Sequence, residues 1–155
     1  MLPLGNRILV TGSRTWPDSL RLLVAHALDY AAYEYVGATH PGAVTLVSGA
    51  CPTGADRIAE ECAKERGWRI ERHPADWDRY GSRAGVRRNL EMVERGAAVC
   101  VAFLMPCANP RCVRTDPHES HGTTHCVAST RSAGIPVMEW RPSDALPLLI
   151  AQGLL

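Results

Sequence analysis

Apolar residues along the chain fall into short continuous runs separated by longer stretches with helical spacing. Ile8, Leu9 and Val10 form the first run, over Arg7–Val10, and it stops at the turn signal Thr11-Gly12-Ser13-Arg14. Leu20, Leu23, Val24, Ala27, Leu28 and Ala31 then recur at helical intervals, which predicts a helix capped by Asp18 or Ser19 and running to about Val36. The stretch Gly37 to Gly42 breaks it, and Ala43–Val47 predicts a second strand. A helix over Ala55–Arg66 follows, closed by Gly67. Trp68–His73 alternates apolar and polar residues, as a strand near a sheet edge does. Beyond Pro74-Ala75-Asp76-Trp77 and the Gly81–Gly85 approach, Val86–Arg95 predicts a helix with Val86, Leu90 and Val93 on its apolar side. Ala97–Leu104 is the most apolar run and is expected to be a central strand. Met105–Gly122 has three prolines and no period. A helix over Thr123–Ala133, a strand over Pro136–Trp140 and a short terminal helix or tail over Pro142–Leu155 complete the pattern.

Strands alternating with helices imply a mainly parallel sheet of about five strands covered on both faces, a Rossmann-like three-layer α/β fold. The 155 residues are expected to form one domain, with a loop rich in Cys and His at 105–122. Ligands of such sheets sit outside the carboxyl ends of the strands. The glycine-bearing loops fall at those ends, so their side chains are the first candidates for chemistry.

Gly12, Ser13 and Arg14 follow the first strand and offer a close backbone approach, a hydroxyl and a planar fork for phosphate; an ordinary strand-to-helix turn is the plainer reading. Ser48-Gly49 through Gly54-Ala55-Asp56 repeats the design, with the backbone amides of Gly49 and Gly54 as anion donors. Asp56 would accept from a ribose hydroxyl, orient the loop, or serve only the electrostatics of the helix start. Arg88 and Asn89 stand near the start of the third long helix, with Gly85 before them and Met92 one turn on. The competing reading makes Arg87 and Arg88 a solvated basic face. Gly122 and Thr123 open the helix after the long loop, a fourth cradle. Trp16 and Trp77 follow two of these loops, where they would stack on a base or pack against the sheet.

The ordered set Thr11-Gly12-Ser13-Arg14, Ser48-Gly49, Gly54-Ala55-Asp56-Arg57, Pro74-Ala75-Asp76-Trp77, Ala84 to Met92 and Gly122-Thr123 resembles the YspA-type branch of the SLOG superfamily. The superfamily also holds the LOG nucleotide hydrolases and the Smf/DprA DNA-processing proteins, and many YspA-type relatives come from phages and actinobacteria. The resemblance covers about residues 7–140. It implies a Rossmann-like fold and binding of nucleotides or nucleotide-derived ligands, often in proteins that pair into homo-oligomers through helices. The LOG hydrolases carry Arg-Lys-x-x-Met and Pro-Gly-Gly-x-Gly-Thr-x-x-Glu. This chain keeps Arg88 and Met92 of the first motif and Gly122-Thr123 of the second, with Cys126 where the glutamate would be. Glycosidic hydrolysis needs a carboxylate or an equivalent group. Binding, as a sensor or sequestering protein with no required cofactor, is therefore the leading expectation. The alternative is N-glycosidic hydrolysis or phosphoribosyl chemistry at the same pocket, with Asp56, Asp76 and Glu91 as substitute carboxylates.

Charge argues against a third function, DNA binding of the recombination-mediator type. The net charge is +1, the positive charge is nearly all arginine, and no basic stripe interleaves with aromatics. No apolar run approaches the roughly 20 residues that span a bilayer, and no signal-peptide pattern opens the chain. A cytoplasmic, reducing location is expected, with the six cysteines as thiols or metal ligands. Cys62, Cys100 and Cys51 read as small packing residues, and His26 as surface or satisfied core. Cys107, Cys112, His118 and His121 have the ligand types of a tetrahedral structural zinc. In the competing view the two cysteines are free thiols and the histidines line the ligand pocket beside Gly122.

Overall fold

The computed structural model describes residues 4–37 and 41–154; part of the expected break at Gly37–Gly42 and the last residue of the expected tail lie outside them. Five short strands form one parallel sheet: β1 (Arg7–Gly12), β2 (Thr45–Ser48), β3 (Arg69–Arg72), β4 (Val99–Phe103) and β5 (Val137–Trp140). Their order is β3-β2-β1-β4-β5. The register pairs Leu9 with Val47 on one side and with Cys100 on the other. The architecture is the expected Rossmann-like three-layer α/β fold.

Side chains of β1 alternate between the two layers, as the pleat of a strand requires. Ile8 and Val10 join Val99, Val101 and Phe103 under α1 (Arg21–Ala31) and α2 (Gly54–Glu65). Leu9, Val47 and Cys100 point the other way, under α4 (Ala84–Glu94) and α5 (His121–Ser132). Between β3 and α4 lies the single turn α3 (Trp77–Tyr80), and α6 (Ala145–Ala151) closes the described chain against α1. The chain thus builds β1, β2 and β3 in one direction with helices on one face. It then returns over the other face to lay β4 and β5 beyond β1. Right-handed crossovers impose this change of face wherever the direction of strand addition reverses.

Several sequence expectations shift in detail. β1 holds the middle of the sheet; β4 is fully buried beside it but stands one strand from an edge. Asp18 does not cap the first helix, since its carboxylate pairs with Arg57; a short 3-10 turn leads into α1, which ends in a wide π turn at Ala32–Val36 and Gly37. On α4 the inward residues are Ala84, Asn89, Met92 and Val93, while Val86 and Leu90 are exposed. α4 packs along α5, with Asn89 buried and bonded to the Gly122 carbonyl and Leu90 turned out. α5 starts at His121, two residues before the expected Thr123. Among the described residues no helix is long and apolar enough to cross a membrane.

Candidate functional site

The direction of strand addition reverses at β1, with β4 on the far side from β2, and in open parallel sheets ligands sit outside the carboxyl ends of the strands at such a switch point. The loop after β1 is locked to the loop after β2. The Ser13 carbonyl accepts from the Ala55 amide at 3.1 Å and from the Trp16 amide at 3.2 Å. Gly54, with φ +71°, lies so close beneath this turn that a Cβ there would stand 2.6 Å from Arg14 Cα. Only glycine meets both demands. A Cβ on Gly12 would press into Ala55 and reach Phe103 Cβ at 3.0 Å. Gly12 is therefore explained by tight packing of α2 on β1 rather than by a ligand's approach. Ser13 is buried, and its hydroxyl holds Thr15 through the Thr15 amide and hydroxyl.

Arg88 joins the second loop to the third. From α4 its Nη1 donates to the carbonyl of Gly49 and, at 3.5 Å, to that of His73, while Nε donates to Asn89 Oδ1 at 2.9 Å. Asn89 in turn donates from Nδ2 to the Gly122 carbonyl at 3.3 Å, tying α4 to the first turn of α5. Nη2 of Arg88 has no hydrogen-bond partner among the described residues. The solvated-face reading thus applies to Arg87, which lies over the Tyr80 ring, but not to Arg88. A side chain on Gly49 would stand 2.7 Å from Arg88 Nη1, so the guanidinium occupies the space glycine leaves.

Asp56 is 6% exposed, and its carboxylate accepts from the Cys51 amide at 3.2 Å. It holds the turn of the β2–α2 loop, one of the roles expected from sequence. Burial pushes its carboxyl up to about 6, against the opposing pull of the Cys51 amide and of Arg88. Ala50, in the same loop, takes the left-handed conformation with φ +58°, uncommon for a residue with a side chain. Beneath it lies a network that sequence reasoning missed. The Ser48 hydroxyl donates to Glu60 at 2.8 Å and accepts from the Ala50 amide at 3.0 Å, and Arg72 completes the Glu60 carboxylate at 3.1 Å. Nothing in the sequence marks it, because Glu60 on α2 meets Ser48 and Arg72 only once the helix packs against β2 and β3.

The rim is open. Arg14 is exposed with its guanidinium 5.5 Å from the centre of the Trp77 ring, and Trp77, 49% exposed, packs its edge near Gly85. Trp16 is buried against Phe103 and has no face to offer a ligand. Gly122 faces open space, since no atom lies within 4 Å of a Cβ built there, and Thr123 is buried in the same turn. Gly12, Ser13, Arg14, Gly49, Gly54, Asp56, Arg88, Asn89, Gly122 and Thr123 therefore form one contiguous set at one rim of the sheet. A groove of about 370 Å³ runs between α3 and α4 and shares Arg88 with this set, with Asp76, Glu91 and Glu94 lining it beside Arg87 and Arg88. Its carboxylates make it a poor anion site.

Cys126, at the position of the hydrolase glutamate, is fully buried, and burial raises its thiol. Cys107, Cys112, His118 and His121 have their ligand atoms within 4.8 Å of one another, and His121 directly precedes Gly122 at the start of α5.

The family profile for the YspA, cpYpsA-related SLOG family matches residues 6–80, the part that carries β1, β2, β3 and the two interlocked loops. No solved structure matches this chain. The Gene 61 protein of Mycobacterium phage D29 is 37% identical over 139 residues, covering 86% of this chain and 95% of the phage protein. With the switch-point loops, the profile match and this near full-length relative in agreement, the chain belongs to the YspA, cpYpsA-related SLOG family.

Proposed function

We propose that this protein binds a phosphate-bearing nucleotide or nucleotide-derived ligand in the crevice beyond β1 and β4, as a sensor or sequestering protein. The observation that carries the reading is Arg88. One guanidinium, held by the Gly49 and His73 carbonyls and by Asn89, connects the loops after β2 and β3 to the start of α5 and keeps Nη2 for an anion. A cation fixed in this way needs no reordering when phosphate arrives. Arg14 closes on the same anion from the rim, and the first turn of α5, at Gly122 and Thr123, adds the positive end of a helix dipole. Trp77 supplies the exposed ring for a base or sugar. Family membership points to nucleotides in general and is consistent with this chemistry.

Binding is favoured over N-glycosidic hydrolysis because Cys126 supplies neither a carboxylate nor an accessible base. Of the substitute carboxylates, Asp56 holds the Cys51 amide, Asp76 caps α3 and Glu91 lines the α3–α4 groove. The test is a thermal-shift and calorimetric titration with nucleoside monophosphates, ADP-ribose, cyclic nucleotides and NAD. A ligand at one hundred times its Kd stabilises the fold by about 2.7 kcal/mol, and Arg14→Ala is expected to weaken that ligand without unfolding the protein. Absence of any shift across the set overturns the reading. Release of free base replaces it with hydrolysis.

A further inference from the structure

No residue from Met105 to Gly122 is buried, and Val113 in its middle is 93% exposed. A segment of this length with no core of its own needs another source of order. Its backbone nevertheless follows a defined path. Pro106 and Glu119 form an antiparallel bridge, the Cys107 amide donates to the His118 carbonyl at 2.9 Å, and the Ser120 amide donates to Met105 at 3.0 Å. Asn109 turns the chain back by accepting from the Arg111 amide on its side chain and from the Cys112 amide on its carbonyl, each at 3.0 Å. These features bring four soft or borderline donors to one point. Cys112 Sγ lies 3.3 Å from His118 Nε2 and 3.4 Å from His121 Nε2, and the two imidazole nitrogens are 3.0 Å apart.

We propose that Cys107, Cys112, His118 and His121 bind one structural zinc ion that closes the 105–121 loop and sets the start of α5. Zinc bonds of about 2.3 Å to sulfur and 2.0–2.1 Å to nitrogen place tetrahedral ligand atoms roughly 3.3–3.8 Å apart. The three separations above, with Cys107 Sγ inside the same 4.8 Å cluster, need only small side-chain adjustments to meet that geometry. His118 Nδ1 donates to the Asp116 carbonyl at 2.8 Å, which orients the ring with Nε2 aimed at the other donors. Binding displaces the two thiol protons, so two thiolates, two neutral imidazoles and Zn²⁺ make an electrically neutral centre. All four positions are filled by protein, which marks a structural rather than a catalytic ion. Glu119, beside the cluster, is held by Arg141 at 2.8 and 2.9 Å, anchoring the clip to the end of β5. His121 is the first residue of α5, so the ion also fixes the turn that carries Gly122.

The test is metal analysis of the full chain purified without chelator, with Cys107→Ser/Cys112→Ser alongside. One zinc per chain is expected in the wild type and less than a tenth of that in the variant. Cobalt added to metal-stripped protein supplies a readout independent of folding yield. A thiolate-to-cobalt absorption band is expected in the wild type and absent from the variant, while the sheet keeps its far-ultraviolet dichroism. A metal-free wild type that also gives no cobalt–thiolate band overturns the proposal. Equal metal in both proteins, or a Cys107–Cys112 disulfide in reduced preparations, overturns it as well. None of these outcomes depends on nucleotide binding.

Discussion

The backbone of Gly54 runs beneath that of Ser13 so closely that no side chain fits between them, and the adjacent Ala55 amide donates to the Ser13 carbonyl at 3.1 Å. Gly54→Ala adds a methyl group to that contact at a φ of +71°. Overpacking and left-handed backbone together are expected to destabilise the fold by about 2–4 kcal/mol. Chemical denaturation checks this, and a loss under 1 kcal/mol would show that the two loops are not interlocked.

Arg14 and Arg88 separate binding from stability. Arg14→Ala removes an exposed side chain and is expected to change stability by less than about 0.5 kcal/mol. It is also expected to weaken the nucleotide about tenfold, the loss of one charge-assisted hydrogen bond of about 1.4 kcal/mol. Arg88→Lys keeps the charge but not the fork that reaches Gly49, His73 and Asn89. Both affinity and melting temperature should fall, by calorimetry and thermal denaturation. Wild-type affinity in both variants would remove the anion from this crevice.

Two carboxyls give the stability curve opposite slopes. Burial raises Asp56 to about 6, so the folded state holds its proton more tightly than the unfolded chain does. Its contribution is fully present below the ordinary carboxylate range and is lost as pH rises through about 6. The Arg7 guanidinium, with help from His73, lowers Glu71 to about 2. That contribution is present above the ordinary range and is lost as pH falls toward 2. Stability is therefore expected to be greatest near pH 4 as far as these two groups decide it. Asp56→Asn, which still accepts from the Cys51 amide, should gain on the order of 2–3 kcal/mol over wild type at pH 7.5 and little at pH 4. Denaturant titrations at both pH values measure the difference.

Ser48→Ala leaves the Glu60 carboxylate short of one donor and the Ala50 amide without its acceptor. A cost of about 1–3 kcal/mol is expected for groups buried in this way. Amide hydrogen exchange should rise at Ala50 well before the β1 amides change. Unchanged protection at Ala50 would place the support of that loop elsewhere.

The regular elements were legible because each obeys a local rule. The β1 run Ile8–Val10, the helical recurrence of Leu20 to Ala31 and the stop at Gly67 report their conformation within a few residues, and right-handed crossover converts their order into a parallel sheet. The family signature was legible for a similar reason, since its glycines answer demands at fixed places in the chain. Distances between loops were not legible. That Gly12 packs against Ala55, that Arg88 spends its donors on Gly49 and His73, and that Trp16 is buried while Trp77 is open all depend on contacts between residues far apart in sequence. α4 shows the difference most directly. Its helical period was apparent from Val86, Leu90 and Val93, but which stripe faces inward depends on the segments packed against it, and the buried residue proved to be Asn89 and not Leu90. Periodicity is a property of one segment, and burial is a property of two. The sequence alone determined the layers and the candidate residues; only the packing of segments decided which of them meet and which atoms remain for a ligand.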